Sequence, residues 1–111
     1  MSMEKPEMYK VLSFNEVDQL VDKIKASAET ASEKVKQKIT KNIMPKLEGD
    51  SSPWIQRWLD QNKYYWNRYC TDPSPETQEE LASDAELMFL KDLSPDERKE
   101  LYFIMYGEKI D

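Results

Sequence analysis

Aromatic residues are concentrated in one short stretch of this chain, between residues 53 and 70. The stretch contains all three tryptophans, Trp54, Trp58 and Trp66, and half of the aromatic residues of the 111-residue chain. Aromatic side chains bury more apolar area than most other side chains, so the element that carries them gains most from packing. This stretch is therefore either the centre of a hydrophobic core or a surface that meets a partner, and the sequence leaves both interpretations open.

Helix signals dominate the rest of the chain and predict an all-α fold. Ser13 with Glu16, and Ser94 with Glu97, have the spacing of capping boxes, and the chain has only two glycines. We predict a single domain, residues 1–111, folded as a compact bundle of about four helices with a long first helix and an aromatic-rich second helix. The predicted elements are an N-terminal arm at 1–12 and helices at 13–44, 53–70, 75–91 and 95–106.

The first predicted helix is unusually long. Apolar residues recur at intervals of three and four from Val17 to Ile43 and form one stripe. Small and polar residues at 26–32 leave a break open, but we expect one continuous helix that ends near Ile43, because Pro45 disfavours helical geometry at Met44. Such a helix is about 45 Å long. Three shorter helices cannot cover its whole stripe, which predicts a possible homodimer.

The residue types present limit the chemistry that the chain can perform. It has no histidine, two isolated glycines and one cysteine, Cys70. Histidine-based nucleophile systems, thiol zinc frameworks and glycine-rich phosphate loops are thereby excluded. Glu76, Glu80 and Asp84 share one helix face by their spacing of four, and a solvated acidic face explains them better than a divalent metal site. We predict a protein that is not an enzyme and uses no metal and no cofactor.

The sequence also predicts where the protein works. No stretch approaches the roughly 20 apolar residues of a membrane helix, and the N-terminus shows no signal-peptide pattern. A single cysteine suits a reducing compartment. These features predict a cytoplasmic protein with no membrane partner. The net charge of −6 is uneven, because residues 71–111 carry twelve acidic and four basic residues whereas residues 51–70 are mildly basic.

Aromatic and arginine residues that alternate along residues 53–70 give the strongest indication of function. Tryptophan, tyrosine and arginine are the residue types enriched at the energetic centres of protein interfaces. We predict a small acidic interaction module that binds and modulates another protein, whose identity the sequence does not reveal. The predicted partner-binding residues are Trp54, Arg57, Trp58, Tyr65, Arg68 and Tyr69.

Nucleic acid is the alternative partner. Lysines near the end of the first predicted helix, together with Arg57, Lys63 and Arg68, accompany aromatic rings as in surfaces that bind single strands. The acidic C-terminal third offers a second version of this hypothesis, in which it mimics a nucleic-acid backbone. Overall acidity argues against strand binding, so this alternative ranks below protein binding. An enzyme that uses carboxylates and a metal ranks third.

Overall fold

The computed structural model describes residues 10–110, and this part of the chain is helical and compact, without any β-strand. Its Cα radius of gyration is 14.5 Å, and its extents are 39 × 37 × 25 Å. The prediction of an all-α fold is confirmed. Most of the predicted N-terminal arm, residues 1–9, lies outside the described residues. No helix within residues 10–110 combines the length and apolar character needed to cross a membrane.

Five helices are present in the described residues rather than about four. They are α1 (Phe14–Ala28), α2 (33–48), α3 (Ile55–Thr71), α4 (Pro75–Ala82) and α5 (Pro95–Tyr106). Helix α2 is a continuous run of an α-helical segment (Glu33–Lys38), a π-helical segment (Ile39–Ile43) and a second α-helical segment (Met44–Glu48). Short 3₁₀ segments precede α3 (Ser52–Trp54) and α5 (Met88–Asp92).

The prediction of one continuous helix over 13–44 is wrong, because the chain turns at residues 29–32. Ser32 starts a new helix there: its side chain accepts a hydrogen bond from the amide of Val35, and its own amide donates to Glu100 of α5 at 3.1 Å. A helix of about 45 Å would also exceed the longest dimension of the molecule, 39 Å. The turn instead allows α1 and α2 to pack separately against α5.

A homodimer was predicted because one long helix would leave part of its apolar stripe uncovered. Within the described residues, the stripe is covered by the chain itself, since its main members are buried: Val17, Ile24, Val35, Ile39 and Ile43. The oligomeric state therefore stays a prediction, now without an uncovered stripe to support it.

The prediction that Pro45 ends the helix near Ile43 is wrong, because α2 continues to Glu48. The π-helical segment changes the hydrogen-bonding register, so that the amide of Met44 bonds to the carbonyl of Ile39. The α-helical segment that follows begins at Met44, which places Pro45 in its first turn. A missing amide costs little at that position, because first-turn amides have no partner within a helix.

The predicted helix over 75–91 is also too long, because α4 ends at Ala82. The carboxylate of Asp84 accepts hydrogen bonds from the amides of Glu86 (2.9 Å) and Leu87 (3.2 Å). Such local bonds compete with helical ones and favour a turn. The chain then forms the 3₁₀ segment before α5 instead of continuing α4.

Serine–proline pairs at 52–53, 74–75 and 94–95 each have the pattern of a helix cap followed by a first-turn proline, and two of the three serines are caps. Ser74 caps α4 by accepting from the amide of Thr77, and Ser94 caps α5 through a complete capping box with Glu97. The capping box of Ser13 and Glu16 at α1 is confirmed as well. Ser52 makes no capping bond: it is buried in the 3₁₀ segment, and α3 begins after it. Helix α5 has the predicted bounds.

Helix α5, rather than the aromatic α3, is the most central helix of the described structure. It packs against α1, α2 and α3. Its buried side chains are Arg98, Leu101, Tyr102, Ile104 and Met105. Side chains buried around much of a helix circumference are expected when neighbours lie on several sides. Helix α3, in contrast, packs mainly against α5 and α4, which cover one of its sides, and its opposite side faces solvent.

Acid is expected to destabilise the protein through its helix caps and turns. Hydrogen bonding from the backbone of Ser13 and from Lys10 lowers the pKa of Glu16 to about 2, and capping and turn contacts lower the pKa of Glu97 and Asp72. Because these pKa values are lower in the folded state, the unfolded chain binds more protons in acid. The free energy of unfolding should be level from pH 7 to 5 and fall between about pH 4.5 and 2.

Urea unfolding followed by circular dichroism at several pH values measures this. The Glu16→Gln variant serves as the comparison, since it retains a side-chain acceptor but cannot titrate. A wild-type midpoint that is unchanged down to pH 2.5 would contradict the expectation, as would an equally steep acid response in the variant.

Candidate functional site

Helix α3 has a buried side and an exposed side. The side that faces α5 and α4 carries its buried residues: Ile55, Leu59, Trp66, Tyr69 and Cys70. Residues at intervals of three and four on the other side share the solvent-facing surface. Trp54, just before α3, continues that surface beyond the start of the helix.

The three tryptophans differ in burial, so each has to be assigned separately to the core or to the surface. Trp66 is fully buried, and its ring contacts those of Trp58, Phe89 and Tyr106 at centroid distances of 6.2, 5.9 and 5.7 Å. Trp58 is half-buried. Trp54 is 45% exposed. The prediction from sequence did not distinguish the three tryptophans. In the structure, Trp66 lies in the core and Trp54 is exposed to solvent.

The exposed side of α3 carries what we call the aromatic surface: Trp54, Arg57, Tyr64 and Tyr65. The guanidinium of Arg57 lies 5.9 Å from the centroid of the Trp54 ring, a cation–π distance. Tyr64 is 68% and Tyr65 41% exposed, and their rings contact each other edge to face at 5.3 Å. The arrangement spans about three helical turns, or roughly 16 Å.

The remaining predicted partner-binding residues lie at the edges of this surface or beneath it. Arg68 is half-buried and forms an ion pair with Glu80 of α4. Trp58 donates its indole N–H to Glu86 at 3.2 Å. Tyr69 is buried at 2% exposure and donates its hydroxyl to Asp84 at 2.9 Å, so the structure removes it from the accessible surface. Desolvation and that hydrogen bond raise the pKa of Tyr69.

Two exposed apolar residues that the sequence analysis missed lie close to this surface. The amide of Leu12 donates to the carbonyl of Pro53 at 2.9 Å, which holds the start of the described chain against the turn that carries Trp54. Val11 is 52% and Phe14 81% exposed. The sequence offered no signal for the exposure of Phe14, because Phe14 lies three residues before Val17 and so continues the spacing of the buried stripe of α1.

A basic groove adjoins the aromatic surface, and we call it the lysine groove. It has a volume of about 370 Å³ and lies between α2 and the 3₁₀ segment Met88–Asp92. The charged residues that line it are Lys38, Lys41, Lys46, Lys91, Glu86 and Asp92.

Lys46 connects this groove to a second hollow. That hollow, of about 180 Å³, is lined by Lys46 together with Trp54, Arg57 and Trp58. The ammonium group of Lys46 lies 4.6 Å from the centroid of the Trp58 ring. The groove and the hollow therefore share Lys46, and the hollow shares Trp54 and Arg57 with the aromatic surface; we call the three together the exposed region.

The groups suited to catalysis are engaged in structural roles. Burial raises the pKa of the Cys70 thiol to about 12, so the thiol stays protonated at neutral pH. Glu80 pairs with Arg68, and Asp84 bonds to Tyr69 and to backbone amides. Among residues 10–110, no group of three acidic or cysteine side chains is arranged to hold a metal ion. That the protein is not an enzyme stays a prediction.

Comparison of the chain with protein-family models, with curated proteins and with solved structures finds no match. The inference of function therefore depends on the chemistry of the exposed region itself.

Proposed function

We propose that this protein binds and modulates another protein through the aromatic surface of α3. The observation that supports this most directly is that Tyr64 and Tyr65 of α3 and Trp54, just before α3, are 68, 41 and 45% exposed. Large aromatic side chains gathered on an exposed face are unusual in a monomeric soluble domain and are typical of interaction surfaces. Their stabilising contribution is realised only when a partner covers them.

The fold does not need these side chains for its core. Trp66 and residues of α5 already fill the space beneath α3, and Trp66 is fully buried. Tyr64 and Tyr65 make ring contacts with each other, and Tyr65 also contacts Tyr69 at a centroid distance of 6.1 Å. These contacts restrict the side chains without burying them. A restricted aromatic side chain loses less conformational entropy when it binds, which favours its use as an anchor.

The chemistry of the surface indicates the kind of protein it fits. The hollow beside Trp54, of about 180 Å³, has room for a single apolar side chain of a partner. Arg57 and Lys46 both line the hollow, and their positive charges favour carboxylates around that side chain. The proposed partner therefore presents an apolar anchor residue flanked by aspartate or glutamate.

A comparison of three immobilised proteins tests this proposal. The wild type, the double variant Trp54→Ala with Arg57→Ala, and Phe103→Ala are exposed to the same cell lysate, and the retained proteins are quantified. Phe103 is the matched control, because it is an aromatic residue with the same 45% exposure on a different helix. A partner retained by the wild type should be retained by the control and lost from the double variant.

The affinity of the purified partner then gives the size of the effect. Residues at the centre of an interface contribute at least about 2 kcal/mol, so the double variant should bind at least about 30-fold more weakly. Circular dichroism confirms that each variant is folded. If the double variant retains every protein that the wild type retains, with equal affinity, the aromatic surface is not the binding site.

A further inference from the structure

We propose that the lysine groove and the adjoining hollow at Trp54 bind single-stranded nucleic acid, a second ligand that shares the hollow with the proposed protein partner. The lysines would contact the phosphates, and the indole of Trp54 would stack on a base. This combination of a cationic track with an aromatic platform is the general means by which proteins bind single strands without sequence preference.

The charge of the groove is opposite to that of the protein as a whole. Four lysines and two carboxylates line it, in a chain whose net charge is −6. The lysines come from two elements: Lys38, Lys41 and Lys46 from α2, and Lys91 from the 3₁₀ segment Met88–Asp92. Folding thus collects positive charge on one surface although the chain has a surplus of acids. A groove with a surplus of one charge attracts ligands of the opposite charge.

Of the two carboxylates, Asp92 is neutralised by an ion pair, whereas Glu86 keeps its negative charge because its partner is a neutral indole. Asp92 pairs with Lys38 at 2.9 Å, and Glu86 accepts the indole N–H of Trp58. Lys41 and Lys91 form no ion pair with any residue in the described part of the chain. Lys46 lies over the Trp58 ring, where its charge is not neutralised. Four lysines against two carboxylates leave the groove with a net charge of +2, which attracts anions.

Lysine acts as a point charge that attracts phosphate and carboxylate alike, so the lysines alone do not distinguish the two anions. Every cation lining the groove is a lysine. A nucleic-acid strand differs from an acidic peptide in carrying bases, and the exposed indole of Trp54 beside the groove is a platform on which a base can stack. The aromatic platform is therefore what favours a nucleic-acid strand over an acidic peptide.

The hollow supplies the aromatic platform at one end of the groove. Trp54 is 45% exposed there, and Lys46 lines both cavities, so a strand can contact the two without interruption. Stacking on an indole requires a base that is not stacked in a duplex, which selects single strands. A duplex presents no free base face to Trp54.

Fluorescence anisotropy with a fluorescein-labelled oligothymidylate of about 12 nucleotides tests the groove at low salt. If three phosphates are contacted, the logarithm of the affinity should fall with the logarithm of salt concentration with a slope of about −2. The variant Lys41→Glu with Lys91→Glu should bind at least about tenfold more weakly and show a shallower slope. The matched control is Lys23→Glu with Lys109→Glu, which changes the net charge equally at exposed positions outside the groove.

A second measurement tests the stacking. Binding of the same oligonucleotide should quench tryptophan fluorescence in the wild type, and Trp54→Ala should remove most of that quenching while retaining the salt dependence. A duplex of the same length should bind more weakly than the single strand.

Three results would overturn the proposal. The first is no binding of the oligonucleotide even at about 20 mM salt, where phosphate contacts are strongest. The second is equal weakening by the groove variant and by the charge control, which would assign the effect to net charge. The third is tighter binding of polyglutamate of equal charge, which would make the groove a site for acidic proteins. The groove variant is also expected to retain the protein partner of the aromatic surface, so the two proposals can fail independently.

Discussion

Replacement of Trp66 by alanine is expected to lower the free energy of unfolding by about 3–5 kcal/mol, a large fraction of the total for a domain of this size. Trp66 is fully buried, and its ring contacts three other aromatic rings that belong to three different parts of the fold: Trp58, Phe89 and Tyr106. Removing it leaves a cavity that rigid rings cannot fill. Urea unfolding followed by circular dichroism at 222 nm measures the loss.

Two comparisons separate the loss of packing from other effects. Tyr64→Ala also removes an aromatic ring from α3, but Tyr64 is 68% exposed, so its cost should stay within about 0.5 kcal/mol. Trp66→Phe should cost clearly less than Trp66→Ala. It retains a ring and removes an indole N–H that has no hydrogen-bond partner among the described residues. A cost for Trp66→Ala below about 1 kcal/mol would show that Trp66 is not central to the core.

Arg98→Met is expected to lower the free energy of unfolding by about 2–4 kcal/mol, because the Arg98 guanidinium bonds to four backbone carbonyls. Its Nε donates to the carbonyls of Leu90 (2.8 Å) and Leu93 (3.1 Å), one terminal nitrogen donates to Tyr69 (3.2 Å), and the other donates to Lys91 (3.5 Å). Arg98 is only 7% exposed, so water cannot readily replace these bonds.

The bond to Tyr69 has a specific cause in the sequence. Near the end of α3, the carbonyl of Tyr69 would normally accept from the amide of residue 73, but Pro73 has no amide hydrogen. Arg98 supplies the missing donor from another helix. Methionine has a similar shape but donates nothing, so carbonyls that remain buried lose their partner.

Lys99→Met is the control for Arg98→Met. It removes a positive charge from the next residue, which is only half-buried, and should change the free energy of unfolding by less than about 0.5 kcal/mol. The Arg98→Lys variant should lie between wild type and Arg98→Met, because an ammonium group cannot reach all four carbonyls. Equal stability of Arg98→Met and the wild type would mean that the cost of desolvating the guanidinium cancels its hydrogen bonds.

Local signals in the sequence predicted the helix starts correctly where the cap was self-contained. The capping boxes at Ser13 and Ser94 depend on residues within three positions, so they can be read from the chain alone. The break at Ser32 is different in kind. Its amide bonds to Glu100, 68 residues away, and a contact of that separation leaves no periodic mark in the sequence. Helix α4 ends early because the carboxylate of Asp84 bonds to nearby amides. An aspartate at this position is a local signal for a turn, but the sequence analysis interpreted Asp84 as part of an acidic helix face.

The residue types of the exposed region could be predicted from the sequence, but which of these residues are exposed and which lie together could not. Alternating aromatic and arginine residues pointed to α3, and Trp54, Arg57 and Tyr65 do face solvent. Which tryptophan is buried depends on how α3 is rotated against α5, and a helix with aromatic residues on most of its circumference does not specify that rotation. The lysine groove joins residues 38 and 91, which only the folded chain brings together. Arg98 looked like an ordinary surface charge, because its partners are backbone atoms that every sequence contains.

The π-helical segment of α2 changes the direction in which all later side chains of that helix point. Relative to a regular α-helix, such a turn accommodates one extra residue, and each residue of an α-helix advances the side-chain direction by about 100°. Deleting one residue from Ile39–Ile43 would turn everything that follows by that angle. Leu47, now 3% exposed, would rotate out of the core, and Lys46 would leave the Trp58 ring and the junction of the two cavities. Stability and surface chemistry in this protein therefore depend on the same single-residue insertion.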